Sequence, residues 1–161
     1  MKQFTIGPSL TSRSRIFFLC ILFLKIILMT FFSSDYQNLL FIPFIEHFLT
    51  YFDNPWDYFY YNPVGAEFPY SPMMLYLLSV AYAPIHVLDI QNPLVINFFF
   101  KLPTLFVDLS IFYLLLKVIK DQKGALLYYF VTPIIIYACY MHSQVDLIPT
   151  AFLFWSIYLL T

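Results

Sequence analysis

Three groups of residues have the types and spacing to do chemistry. Asp35 stands in Ser33-Ser34-Asp35-Tyr36, directly after a long apolar run. A carboxylate at a boundary between lipid and water can take a proton from a hydroxyl held in a cavity beside it. Its competing uses are as a plain solvated acid or as the cap of a short following helix, the cap worth about 1 kcal/mol. The second group is Tyr140-Met141-His142-Ser143-Gln144-Val145-Asp146-Leu147-Ile148-Pro149, a polar patch between two apolar runs. Asp146 fits the N-cap of a final helix with Pro149 in its first turn, which leaves His142 and Gln144 unexplained. Asp146 and His142 fit equally a divalent metal or a phosphate-bearing substrate, although one His and one Asp are too few ligands to name a metal. The third group is Lys101 and Asp108 within one apolar segment. Their separation is almost two helical turns, which puts both on one face about 10 Å apart along the axis, too far to pair directly. An ionisable group in a membrane span is a functional candidate because its burial is costly. Lys101 has snorkelling to the interface as its structural use. For Asp108 the structural use is a pair with another helix, with Lys25 as the partner.

Five apolar segments must position these groups: 16–32, 70–88, 94–116, 125–141, and one running from 147 to the end. Hydrophobic residues make up 61% of the 161-residue chain and charged residues 11%, with mean hydropathy +0.78. Soluble domains are near half apolar and a quarter charged, so a water-soluble fold is excluded, as are disorder and a disulfide scaffold. Net charge −1 leaves no basic footprint for nucleic acid. The three glycines, Gly7, Gly65 and Gly124, are scattered, so no glycine-rich nucleotide cradle exists. Cys20 and Cys139 lie inside apolar runs and read as buried free thiols. The expected fold class is all-α: a polytopic helical membrane protein with a long outer loop carrying interfacial helices.

Charge sets the expected sidedness. Lys2, Arg13 and Arg15 precede the first span without an acid, so the N-terminus is expected in the cytoplasm. From Ser33 to Pro69 there are Asp35, Glu46, Asp53, Asp57 and Glu67 and no Lys or Arg, so this stretch is expected outside. Lys117, Lys120 and Lys123 belong inside again. Two full spans between Pro69 and Lys117 would put those lysines outside, so one segment must not cross. Segment 70–88, with Pro72 and Pro84, reads as a helix in the interface or dipping into the protein. His142, Gln144 and Asp146 then emerge on the same side as Asp35. Within the loop, Leu40, Phe44, Phe48 and Phe52 form one apolar stripe with Glu46 opposite and His47 at its edge. This predicts a helix lying on the membrane that starts near Ile42, with Pro43 in its first turn. Asp53-Asn54-Pro55-Trp56-Asp57 reads as turns. The expected organisation is a cytoplasmic tail (1–15), a span (16–32), an outer loop (33–93) and further spans (94–161). The last of these falls short of the ~20 residues a span needs, as in a piece of a longer protein.

The whole pattern resembles the N-terminal half of integral-membrane GT-C glycosyltransferases, most closely the group related to the mannosyltransferases of GPI-anchor synthesis. Asp35 follows the first span and begins a long outer loop. Phe68-Pro69-Tyr70-Ser71-Pro72 is similar to the turn that precedes an apolar helix in these enzymes. Lys101-Leu102-Pro103 with Asp108 resembles their Lys-x-Pro segment, and His142 through Pro149 resembles their Gly-Gln-x-Asp segment, with Ser143 in place of the usual Gly. The resemblance implies transfer of a sugar, such as mannose, from a polyprenyl-phosphate donor at the outer or lumenal face, with inversion at the anomeric carbon. It implies Asp35 as general base, Lys101 as a phosphate contact, and Tyr70, Asp108, His142, Gln144 and Asp146 around the substrates. Asp146 would also be the residue to hold a divalent metal ion. Lipid-linked sugar and membrane lipids are the implied partners. Two other classes remain open. A transporter or flippase would use Lys101, Asp108 and His142 as a path, and a non-catalytic membrane subunit would tolerate Asn at Asp35 and Asp146.

Overall fold

The first element, α1 (Ser12–Phe31), is an apolar run with no glycine or proline to interrupt its hydrogen-bond ladder. It stops where Ser33 and Ser34 follow. This computed structural model describes residues 12–62, 67–119 and 121–160; among them all regular structure is helical and no strand occurs. The expected tail lies outside the described residues up to position 11, while Arg13 and Arg15 already belong to α1.

Asp35 leads into a π-helical turn, Tyr36–Phe41, which continues as α2 (Ile42–Tyr51). Pro43 takes the first turn of α2, where its missing N–H leaves no gap. The helix ends at Phe52 in the left-handed conformation, φ 54°. Of the apolar stripe, Phe44 packs inward, Leu40 and Phe48 are partly buried against the core, and Phe52 is exposed. Phe44 is buried, stacked on Phe59 with centroids 4.6 Å apart and edge-on to Trp56 at 5.6 Å. His47, expected at the edge of that stripe, is buried under the Tyr58 ring at 4.0 Å.

Asn54 and Pro55, expected to make turns, start a helix instead. Asn54 Oδ1 accepts from Trp56 N–H at 3.2 Å, Pro55 takes the first helical position, and α3 (Pro55–Tyr61) follows. Residues that break a helix interior are among the best at its N-terminus.

Segment 70–88 is α4 (Pro72–Val87), 16 residues long. At 1.5 Å per residue it spans about 24 Å, short of the ~30 Å hydrocarbon core. The longest element, α5 (Pro93–Val118), is capped by Asn92, whose Oδ1 accepts from Leu94 N–H at 2.9 Å. It is the hub: α1, α4 and α8 (Leu147–Leu160) all pack against it. Between α5 and α8 the chain forms two arms. The first is α6 (Gln122–Ala125) with a π-helical turn over Leu126–Phe130. The second is α7 (Pro133–Ile135) with another over Ile136–Met141. The arms meet at 41°, where Pro133 stops the ladder of the first.

Two helices, α1 and α5, are long and apolar enough to cross a membrane, and the bent pair makes a third if it counts as one span. Only Lys25 and Met29 of α1 are buried by protein. That corrects the expectation for Cys20, which lies on the uncovered face of α1, whereas Cys139 is buried.

Candidate functional site

The end of α1 and the end of the second arm lie side by side and enclose a cavity of about 380 Å³. Phe32, Ser33, Ser34, Asp35 and Tyr36 form one wall; Tyr137, Met141 and His142 form the other. Asp35 is exposed, and although it stands at the N-cap of the π-helical turn, its side chain makes no capping hydrogen bond. Of the two structural uses expected for it, capping is therefore not what holds this carboxylate, whereas its exposure agrees with a plain solvated acid. His142 is half-buried between two rings. Tyr36 meets it edge-on at 5.4 Å and Tyr137 lies parallel to it at 6.0 Å.

The next residues extend the site. Ser143 adopts φ 64°, in the left-handed region, and is buried. This reversal swings the chain from the second arm into α8. Gln144 is exposed, and its backbone N–H donates to Ala138 O at 2.9 Å. Asp146 is exposed at the start of α8 and meets Tyr70, which precedes α4. Burial, followed by the charge and hydrogen bonding of Asp146, pushes the Tyr70 phenol up to about 12. Tyr70 is held in turn by Phe41 and Phe68, ring to ring at 5.7 and 5.6 Å. Asp35 and His142 thus share one cavity, and Tyr70 and Asp146 form a second polar pair.

No family model, curated protein or solved structure matches the chain.

Lys101 and Asp108 lie elsewhere. The Lys101 side chain is 1% exposed. Its Nζ donates to Met29 O at 3.2 Å, to Tyr140 O at 3.3 Å and to Phe32 O. An ammonium has three protons, so all are used, and none is left for a phosphate. Met29 O in the last turn of α1 and Phe32 O just after it lie at a helix C-terminus, where orphaned acceptors and the negative end of the helix dipole favour a cation. Snorkelling to the interface does not describe this buried residue. Asp108 is fully buried and accepts from Lys25 and from the Tyr140 phenol. This is the helix-pairing use anticipated for it.

Sequence reasoning missed Gln37 and Asn97. Gln37 is buried directly after the Asp35 turn and donates through Nε2 to Asn97 Oδ1 at 2.7 Å; Asn97 Nδ2 donates to Thr30 O at 3.2 Å. The signal was available, because a lone amide in an apolar segment needs a partner, but nothing in the spacing named which one. Among the described residues no group of three or more His, Cys, Asp or Glu converges, and Asp146 is engaged by Tyr70.

Proposed function

We propose that this chain is part of an inverting glycosyltransferase in the membrane, acting on a polyprenyl-phosphate sugar, with mannose the first candidate. In this reading the protein is polytopic, its N-terminus is cytoplasmic, and the acid-rich stretch from Ser33 to Pro69 with α4 forms an outer or lumenal loop. One observation carries the reading: Asp35 and His142 line the same cavity at the ends of α1 and of the second arm. The charge pattern put both on one side of the membrane by an argument that used no geometry. Ser143 supports it further. The resemblance has glycine there, and φ 64° is a conformation that favours glycine.

The chemistry follows from the groups present. An acceptor hydroxyl enters the cavity and hydrogen-bonds to the Asp35 carboxylate. As its oxygen attacks the anomeric carbon, Asp35 takes the proton, the bond from that carbon to the phosphate oxygen breaks, and polyprenyl phosphate leaves with the electron pair. Attack opposite to the leaving phosphate inverts the centre. His142 lines the cavity and can donate to the sugar or phosphate oxygens, and Gln144, Tyr70 and Asp146 are the further substrate contacts that the resemblance implies. A transport path through Lys101 and Asp108 gains no support, because both are buried and hydrogen-bonded.

The test is sugar transfer by the reconstituted chain from a dolichyl- or undecaprenyl-phosphate sugar, comparing wild type with Asp35→Asn. Loss of about 10²–10⁴-fold in the variant, with folding intact, is the expected result. Equal transfer in both removes Asp35 from the mechanism. No transfer in either turns the reading toward a non-catalytic membrane subunit.

A further inference from the structure

We infer that Lys101 is a positioning residue: its ammonium sets the gap between Asp35 and His142 across the cavity. The inference rests on the glycosyltransferase reading only for its effect on turnover; the spacing itself stands on geometry. Phe32 O and Tyr140 O, both bound to Lys101 Nζ, belong to different walls of the site. Phe32 lines the cavity, and three residues further along the same wall stands Asp35. Tyr140 lies directly before Met141 and His142 on the opposite wall. Met29 O, the third acceptor, fixes the same cation to the last turn of α1. One charge therefore joins the ends of two helical segments that make no regular backbone ladder with each other.

The arrangement needs a cation. The three acceptors are carbonyl oxygens, and removal of the ammonium leaves those of Met29 and Tyr140 buried, and that of Phe32 part-buried, without that donor. A neutral apolar side chain of similar length would fill the space but would not draw the two walls together. Asn97, on the same helix, adds a tie to Thr30 O, but that tie reaches only the α1 wall. Asp108, almost two turns further along α5, also meets α1 and the second arm, but through the side chains of Lys25 and Tyr140; Lys101 binds the backbone carbonyls next to the cavity on both.

The experiment uses the full chain in lipid vesicles with Cys20 replaced by Ser, and cysteines at Ser34 and Met141, one on each wall. Cross-linking by a short bis-maleimide reads the gap directly. The expected result is efficient cross-linking with Lys101 intact and a several-fold lower yield with Lys101→Met, while α1 stays inserted. In the sugar-transfer assay, carried out without the added cysteines, Lys101→Met lowers kcat by about a hundredfold, the scale of a misplaced reacting group, and changes KM little. If Lys101→Met does not fold, Lys101→Gln, which keeps two N–H donors, is read by the same cross-link and falls between the two. An unchanged cross-linking yield in the folded variant overturns the inference. Loss of transfer through a raised KM with kcat intact also overturns it, because that is the signature of a lost ligand contact. A changed gap in a protein that transfers no sugar even with Lys101 intact upholds the spacing role and sinks the glycosyltransferase reading alone.

Discussion

Lys25 Nζ lies 2.6 Å from Asp108 Oδ2, and neither side chain is reachable by solvent. The pair joins α1 to α5. Around it the Tyr140 phenol donates to the same carboxylate oxygen, and the Phe130 ring lies 3.6 Å from the ammonium. The two charges are thus compensated by each other, by a hydrogen bond and by a ring face. Desolvation of such a pair is expensive, and breaking it is more so, because one charge is left buried alone.

Lys25→Met or Asp108→Leu alone is therefore expected to destabilise the fold by about 3–5 kcal/mol. The double variant, which removes both charges, should recover most of the loss. Unfolding midpoints in detergent, measured for the three variants beside wild type, check this. A double variant as unstable as the singles would show that the charges do more than compensate each other.

Tyr70 yields a pH prediction with a fixed sign. Its phenol is held up to about 12 in the folded chain, against 10.0 for an ordinary tyrosine. The folded state therefore keeps a proton that the unfolded state releases first. The stabilisation is fully present below pH 10 and is lost as pH rises from there toward 12. Tyr70→Phe should flatten the fall in stability across that window. Asp146→Asn should lower the phenol only part of the way to 10.0, because burial is the larger cause. Tyrosinate absorbance during an alkaline titration separates the variants.

Much of the architecture was legible in the apolar runs. The segments for α1, α4, α5 and α8 and the start of α2 at Ile42 follow from hydropathy and proline placement. The start of α3 was not legible, because Asn54-Pro55 carries the same letters whether it ends a helix or begins one. For the site, Asp35 and His142 were legible as one-sided by charge, and Lys25 was legible as a partner for Asp108. The role of Lys101 was not. Spacing along α5 says which face a side chain takes, but the carbonyls it meets come from segments distant in the chain. The burial of His47 was not legible for a related reason. The helical stripe gives the angle of His47 on α2, whereas its burial depends on α3, which packs over it.

Glu46 links α2 to α4 through two partners. Its Oε2 lies 2.6 Å from His86 Nδ1, and it is a hydrogen-bond partner of the buried Tyr82 phenol. Glu46→Ala is expected to destabilise by about 1–3 kcal/mol, chiefly because the Tyr82 hydroxyl is left buried without its acceptor. Glu46→Gln retains an acceptor oxygen and should lose less. Tyr82→Phe in the Glu46→Ala background should restore stability. Unfolding midpoints of the set distinguish this from a simple loss of surface charge.

Ser143 carries the last prediction. At φ 64° its Cβ crowds the following carbonyl, a conformation that penalises an L side chain by about 1–2 kcal/mol and glycine hardly at all. Its hydroxyl is buried and meets no hydrogen-bond partner among the described residues. Both terms favour removing the side chain. Against them stand the greater freedom of glycine in the unfolded chain and the lost contacts of one small side chain, each worth less than about 1 kcal/mol. Ser143→Gly should therefore stabilise the fold by about 1 kcal/mol. Ser143→Val, with a branched carbon in the same conformation, should destabilise it severely and open the turn that carries His142 to the cavity. A destabilised glycine variant would mean that the hydroxyl is bonded in the folded protein after all, and that the turn is held by its side chain and not by its backbone.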